Sequence, residues 1–243
     1  MQEPSFQINP ALDARALAAE YRRSGRVHIA DFLAGDLAER LLVFLKESDA
    51  WKLAINQGEK LFELDRSAQA SLTAEQKEQL DQAVYARARN EFQFRYETLR
   101  VPDSEGERAA DPTLLNLFAR FLSSEPALSF LRTVIAAEDV TFADAQATAY
   151  GPGHFLTAHD DHVEGKNRRA AYVFNMTRSW PADWGGLLTF HQPGRSLAEA
   201  FVPAFNALNI LAVPQPHSVG FVAPFAARRR YSVTGWLRAG AKP

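Results

Sequence analysis

The sequence predicts an α+β fold in which a mainly helical N-terminal region supports a strand-rich core. Three observations carry this: helical periodicity up to about residue 135, a change of character near Asp139, and short strand-like runs between Gly and Pro from there on. Leu12–Tyr21 and Asp36–Leu45 repeat apolar residues at helical spacing. Between them Arg26–Leu33 alternates like a strand that feeds a helix opening near Gly35-Asp36. Ser71–Arg95 reads as helix, with capping residues in Ser71-Leu-Thr-Ala-Glu75, and Thr113–Leu122 and Pro126–Ile135 give two more. The charged, turn-rich stretch Val101–Asp111 is expected to be a mobile surface loop beside which a substrate could pass. Strands are expected at 141–150, 169–176, 187–190, 207–213, 218–221 and 231–237, with shorter pieces near Phe155 and Phe201. Short strands at this spacing form a sandwich or small barrel; a jelly roll would bury one face of each around a central cavity.

Composition narrows the chemistry. The 243 residues are 47% hydrophobic and 23% charged, enough for one sizeable core. A net charge of -2 provides no global field to recruit nucleic acid or an anionic membrane. With no cysteine, any metal must be held by His and carboxylates. The polar start Met1–Leu12 and the lack of a long apolar run lead to an expectation of a cytoplasmic protein.

The informative string is Ala158-His159-Asp160-Asp161-His162, followed much later by Pro216-His217. On a strand, alternation would project His159 and Asp161 together and send Asp160 and His162 away, with Asp160 available as an acceptor behind the ligands. A returning strand could add His217 to that face. Two imidazoles and one carboxylate on one side of a metal leave open positions, the arrangement of oxygen-activating iron(II). Downstream, in Arg228-Arg-Arg-Tyr-Ser-Val-Thr-Gly-Trp236, one strand face carries Arg230, Ser232 and Thr234, so Arg230 could clamp a dicarboxylate from within the cavity. Arg228 and Arg229 read as a solvated basic turn. Trp180 and Trp236 read as core residues, Gly185-Gly186 as a turn, and His28, His154 and His191 as histidines without partners.

His159-x-Asp161, His217 and Arg230-x-Ser232 together resemble the iron(II)- and 2-oxoglutarate-dependent oxygenases of the prolyl hydroxylase branch. The sequence is most similar to the prolyl 3-hydroxylases that act on a small-subunit ribosomal protein. That similarity runs from Tyr150 onward through Glu164-Gly165, Arg168-Arg169, Trp180, Gly185-Gly186-x-Leu188 and Ser232-x-x-Gly235-Trp236. It implies a double-stranded β-helix (jelly-roll) core over 139–243, with 1–138 as helical support packed on it in one structural unit. It implies Fe(II) on His159, Asp161 and His217, with 2-oxoglutarate, O2 and possible use of ascorbate. Arg230 would pair with the distal carboxylate of 2-oxoglutarate, Tyr150 would help to hold it, and Leu188 and Val219 would pack against it. Asn175 stands where the family usually has a tyrosine; it could still donate a hydrogen bond, but from a shorter side chain. Arg168 and Arg169 would lie at the substrate rim. The implied reaction is hydroxylation of a C–H bond, with a prolyl residue in a protein or peptide as substrate. The alternatives are a free amino acid or small metabolite as substrate, or a non-catalytic jelly-roll binding module.

Overall fold

The computed structural model describes residues 4–240 except 193, 195 and 197. Its N-terminal half contains α1 (Ala14–Ser24), β1 (Arg26–Ile29), α2 (Leu37–Glu47), β2 (Lys52–Gln57), β3 (Lys60–Asp65), α3 (Arg66–Ser71), α4 (Ala74–Ala88), β4 (Phe94–Arg100), α5 (Glu105–Ala110), α6 (Leu114–Leu122) and α7 (Glu125–Ile135). After it come β5 (Val140–Ala143), β6 (Gln146–Tyr150), β7 (Phe155–His159), β8 (Arg168–Met176), β9 (Leu188–Phe190), β10 (Glu199–Phe201), β11 (Phe205–Ala212), β12 (His217–Val219) and β13 (Arg230–Ala239). Local chemistry sets the helix ends. Asp13 caps α1 by accepting from the Arg15 and Ala16 N–H groups, and Gly25 closes it in the left-handed region. Thr73 and Gln76 form a reciprocal capping box on α4.

All strand pairs are antiparallel, and they run in the order β1-β11-β8-β13-β6-β4-β7-β12-β9-β10 with β2, β3 and β5 alongside. The sheet curls into a nearly closed barrel, a jelly roll. Its outer face is covered by α1, α2, α6 and α7, where Ala170, Tyr172 and Phe174 of β8 meet helix residues such as Leu41 and Phe118. The Phe118 and Phe174 rings stack 4.9 Å apart. The alternate residues Ala171 and Val173 face inward with Leu188, Phe190 and Leu211. Strand β8 is therefore apolar on both faces, which is why it reads as a continuous apolar run.

Three expectations change. The N-terminal half also supplies strands β2–β4, and only Ala74–Ala88 of the expected 71–95 helix is α4. Strand β3 is largely exposed, so no buried face marks it in sequence. Val101–Asp111 is not a free loop: it contains α5, and Arg108 is buried with hydrogen bonds to the carbonyls of Pro102, Ala119 and Ala143. The single strand expected over 141–150 breaks between β5 and β6, where Asp144 Oδ1 accepts the Trp236 N–H at 2.6 Å. Among the described residues no helix is long and apolar enough to cross a membrane.

Candidate active site

A cavity of about 410 Å3 opens inside the barrel, and His159, Asp161 and His217 lie in its wall. The β7–β12 ladder places His217 directly opposite His159, with ring centroids 4.2 Å apart. Asp161 arrives by a different route from strand alternation. Strand β7 ends at His159, and Asp161 lies beyond it at φ 63°, a left-handed conformation Asp tolerates. Asp160 makes that turn by accepting the His162 N–H at 3.0 Å, and Arg168 Nη1 donates to the Asp161 carbonyl at 2.8 Å. The turn brings Asp161 Oδ1 to 3.5 Å from His159 Nε2 and Oδ2 to 3.4 Å from His217 Nε2. The three side chains are 18, 9 and 7% exposed in chain order, so little water screens them.

Both imidazoles have a defined tautomer. Nδ1 of His159 donates to the Thr157 carbonyl at 2.9 Å, and Nδ1 of His217 donates to the Gln215 carbonyl at 2.8 Å. A carbonyl only accepts, so in each neutral ring the proton sits on Nδ1 and Nε2 turns a lone pair to Asp161. Burial and the neighbouring His159 ring hold His217 below the ordinary imidazole value, which keeps it neutral at pH 7. With both rings in the neutral form, three lone-pair donors converge with no hydrogen between them. Donors about 2.1 Å from one ion, at right angles or a little wider, stand about 3.0–3.5 Å apart. The separations match a shared divalent cation, and the donor set of two imidazoles and one carboxylate suits iron(II).

Deeper in the cavity Arg230, at the start of β13, is 1% exposed and faces Tyr150 across the β6–β13 ladder. Its Nη1 donates to the Gly186 carbonyl at 2.7 Å, and among the described residues its Nε meets no acceptor. No carboxylate pairs with it among the described residues, and burial lowers it to about 10. A buried cation lacking its own anion calls for an anionic ligand. Gly185 and Gly186 make room for it: at Gly186 an added Cβ would lie 3.0 Å from Val222 and 3.8 Å from Arg230 Cδ. Tyr150 stacks on Tyr96 at 5.3 Å, and burial raises its hydroxyl far above the usual phenol value, so it stays protonated as a donor. Leu188 and Val219, register partners on β9 and β12, line the same cavity.

The other sequence candidates divide. Arg168 lines the cavity with its guanidinium 3.5 Å over the Trp236 ring. Arg169 points the other way, into a bidentate pair with Asp139, and is not among the lining residues. Asn175 is fully buried opposite Ser232, also outside the lining, and among the described residues its Oδ1 meets no donor. Arg229 is not simply a solvated turn residue, because it pairs with the buried Glu97. Of the remaining histidines, His28 bonds to Asn209 and His191 to Ser218, and burial lowers His154 to about 4.

Sequence reasoning missed several wall residues. Trp236, read as core, shares the inner face of β13 with Arg230, and the alternation that selected Arg230, Ser232 and Thr234 extends to it. Phe94 and Tyr96 line the cavity from β4, where Phe94, Tyr96, Thr98 and Arg100 alternate in a way that gives away the strand. Phe92 and Val163 stand at the cavity wall with large exposed surfaces.

Comparison with known proteins agrees with the geometry. Residues 145–238 match the family described as the 2OG-Fe(II) oxygenase superfamily. No curated protein matches the chain. Among solved structures, a Pseudomonas putida prolyl-4-hydroxylase superposes with a TM-score of 0.60 at 16% identity, over 93% of this chain and 99% of that one. A Trichoplax adhaerens prolyl hydroxylase in complex with a hypoxia inducible factor peptide gives 0.58 at 14% identity, over 93% and 89%. The non-haem α-ketoglutarate-dependent epimerase SnoN of nogalamycin biosynthesis gives 0.56 at 11%, over 92% and 81%. At these identities the likeness establishes the fold, and the presence of an epimerase illustrates that the fold alone does not fix the reaction. Over its segment 145–238 the chain is similar to the 2OG-Fe(II) oxygenase superfamily.

Proposed function

We propose that this chain is an iron(II)- and 2-oxoglutarate-dependent dioxygenase that hydroxylates a C–H bond, with a prolyl residue in a protein or peptide as substrate. One observation carries the reading: a triad of two imidazoles and a carboxylate shares a cavity with a buried arginine that has no carboxylate partner among the described residues. Iron(II) with 2-oxoglutarate and O2 supplies the oxidising chemistry and releases succinate and CO2. The chain holds and orients. His159, Asp161 and His217 would hold the metal, their Nδ1 hydrogen bonds fixing the imidazole orientations. Arg230 and Tyr150 would take the distal carboxylate of 2-oxoglutarate, while Leu188 and Val219 exclude water along its chain. Asn175, paired opposite Ser232 and outside the cavity lining, would reach the carboxylate only through a rearranged amide or a water.

The prolyl assignment rests on the motif likeness and on the prolyl hydroxylases among the structural neighbours. An aromatic and apolar wall of Phe92, Phe94, Tyr96 and Val163 also suits a compact apolar ring presented by a peptide. The ribosomal-protein branch and any use of ascorbate rest on the sequence likeness alone.

The test is anaerobic titration of 2-oxoglutarate into the iron(II)-loaded protein, following the weak visible charge-transfer absorption of a metal-chelated 2-oxo acid. The expected result is a saturable absorption in wild type that is lost in His217→Ala, and succinate release that rises with prolyl peptides. Absence of the absorption at saturating iron would overturn the reading. Absorption without succinate under O2 would leave a binding module.

A further inference from the structure

A second cavity, of about 210 Å3, adjoins the first and shares Gln146, Arg168, Thr234 and Trp236 with it. The sheet register explains how. Arg100 of β4 pairs with Gln146 of β6, which pairs with Thr234 of β13, forming one cross-strand row. Farther along, Arg238 of β13 pairs with Arg168 of β8. Strand β13 therefore carries a cation at both ends of the inner face. Arg230 and Arg238 are eight positions apart, about 26 Å on an extended strand, so one ligand of 2-oxoglutarate size cannot touch both.

The far end has an excess of positive charge. Four cations, Arg100, Lys166, Arg168 and Arg238, line the second cavity against two carboxylates, Asp103 and Asp144. Both carboxylates are poor partners: Arg238 Nη1 is 3.6 Å from Asp144 and 4.0 Å from Asp103, and Asp144 Oδ1 is engaged by the Trp236 N–H. Arg100 turns out to Glu63. Among the described residues neither Lys166 nor Arg168 pairs with a carboxylate, and Arg238 Nε is occupied by the Lys166 carbonyl, which ties the two chains of positive charge together.

We propose that this second cavity is a substrate subsite for a carboxylate, held by Lys166 and Arg238 beside the C–H bond presented to the triad. The proposal rests on the oxygenase reading and goes beyond it by giving the substrate an anionic group. That carboxylate is either an acidic side chain near the reacting residue or a free α-carboxylate, and both offer the same two acceptor oxygens.

The experiment is calorimetric titration of three prolyl hexapeptides into the protein loaded with Mn(II) and 2-oxoglutarate without O2. Two peptides have blocked ends and carry glutamate or glutamine two residues from the proline, and the third is the glutamine peptide with a free C-terminal carboxylate. The expected result is that the glutamate peptide, or the free-carboxylate peptide, binds about tenfold tighter than the neutral one, and that the preference shrinks as salt is raised. Whichever peptide gains identifies the source of the carboxylate. Lys166→Ala should remove most of the preference and Lys166→Arg should restore it, with Mn(II) and 2-oxoglutarate affinities unchanged in both. Lys166 is exposed, so its replacement does not threaten the fold. Equal affinity for all three peptides, or binding of none, overturns the subsite while the cosubstrate titration stands. Failure of Mn(II) to support 2-oxoglutarate binding would sink the oxygenase reading and the subsite with it.

Discussion

Replacing Arg230 with methionine should make the cosubstrate-free protein more stable while abolishing its response to 2-oxoglutarate. Arg230 is a base whose folded value lies below its ordinary 12.5, at about 10, because burial penalises the charge. Such a group destabilises the fold when protonated, and the penalty is fully present at all pH values below about 10. A gap of that size corresponds to about 3 kcal/mol. Arg230→Met removes this term and fills a similar volume. It also strands the Gly186 carbonyl, now bonded at 2.7 Å, at a cost of about 1–2 kcal/mol. The net gain is about 1–2 kcal/mol, which in a domain of this size raises Tm by about 2–8 °C. Wild type should instead recover its deficit on binding: 2-oxoglutarate at about a hundredfold excess over Kd adds about 2.7 kcal/mol. Anaerobic thermal melts with Mn(II), with and without 2-oxoglutarate, read both effects. If Arg230→Met melts below wild type without cosubstrate and still shifts upward with it, the assignment of Arg230 as an anion anchor is wrong.

Three further outcomes are expected. Asp161→Ala should weaken Mn(II) binding by more than about a hundredfold, because it removes the one carboxylate that faces both imidazole Nε2 atoms; Mn(II) affinity close to wild type would contradict this. Burial raises Asp144 to about 6, so the folded state holds its proton more tightly than the unfolded state does, and stability from this group falls as pH rises from about 4 to 6. Denaturant titrations across that range should record a loss of about 3 kcal/mol in wild type and a flatter profile in Asp144→Asn, which keeps the oxygen that accepts the Trp236 N–H; identical slopes would refute the attribution. Gly185→Ala should destabilise by about 3 kcal/mol or more, since its Cβ would sit 2.0 Å from the Phe221 carbonyl at φ 70°, and cosubstrate affinity should fall with it because Gly186 holds Arg230; unchanged urea midpoints would refute the packing argument.

The grouping of the candidate metal-binding residues was more legible in the sequence than the individual strands and turns that assemble it. His159, Asp161 and His217 could be picked out because ligand chemistry restricts residue type and because no cysteine competes for the role. The reason given for their meeting was incomplete. Alternation on one strand was expected, whereas Asp161 is placed by a left-handed turn that Asp160 braces, a detail carried by backbone dihedrals rather than residue pattern. Arg230 followed from alternation along β13, and the same logic carried two residues farther would have found Trp236. Arg169 beside Arg168 shows the limit of adjacency: a register shift near Arg238 displaces it, and only the structure sends one arginine to the cavity and the other to Asp139. The strands β2 and β3 escaped because their hairpin lies at the sheet edge, where β3 has no core to select apolar residues. Arg108 escaped for the opposite reason. Within a charged stretch nothing distinguishes the one arginine that turns inward onto three carbonyls.

Each histidine of the triad takes its orientation from a carbonyl two residues earlier on its own chain, Thr157 for His159 and Gln215 for His217. The ligands are thus aimed before any ion arrives, and an ion that binds has little ordering to do. A pocket assembled in advance in this way is hospitable rather than selective. Imidazole and carboxylate donors hold Zn(II) or Cu(II) more tightly than Fe(II), so the metal found in the purified protein will follow the cell's supply and the handling of the sample. Activity measured without metal exchange would then report occupancy before it reports catalysis.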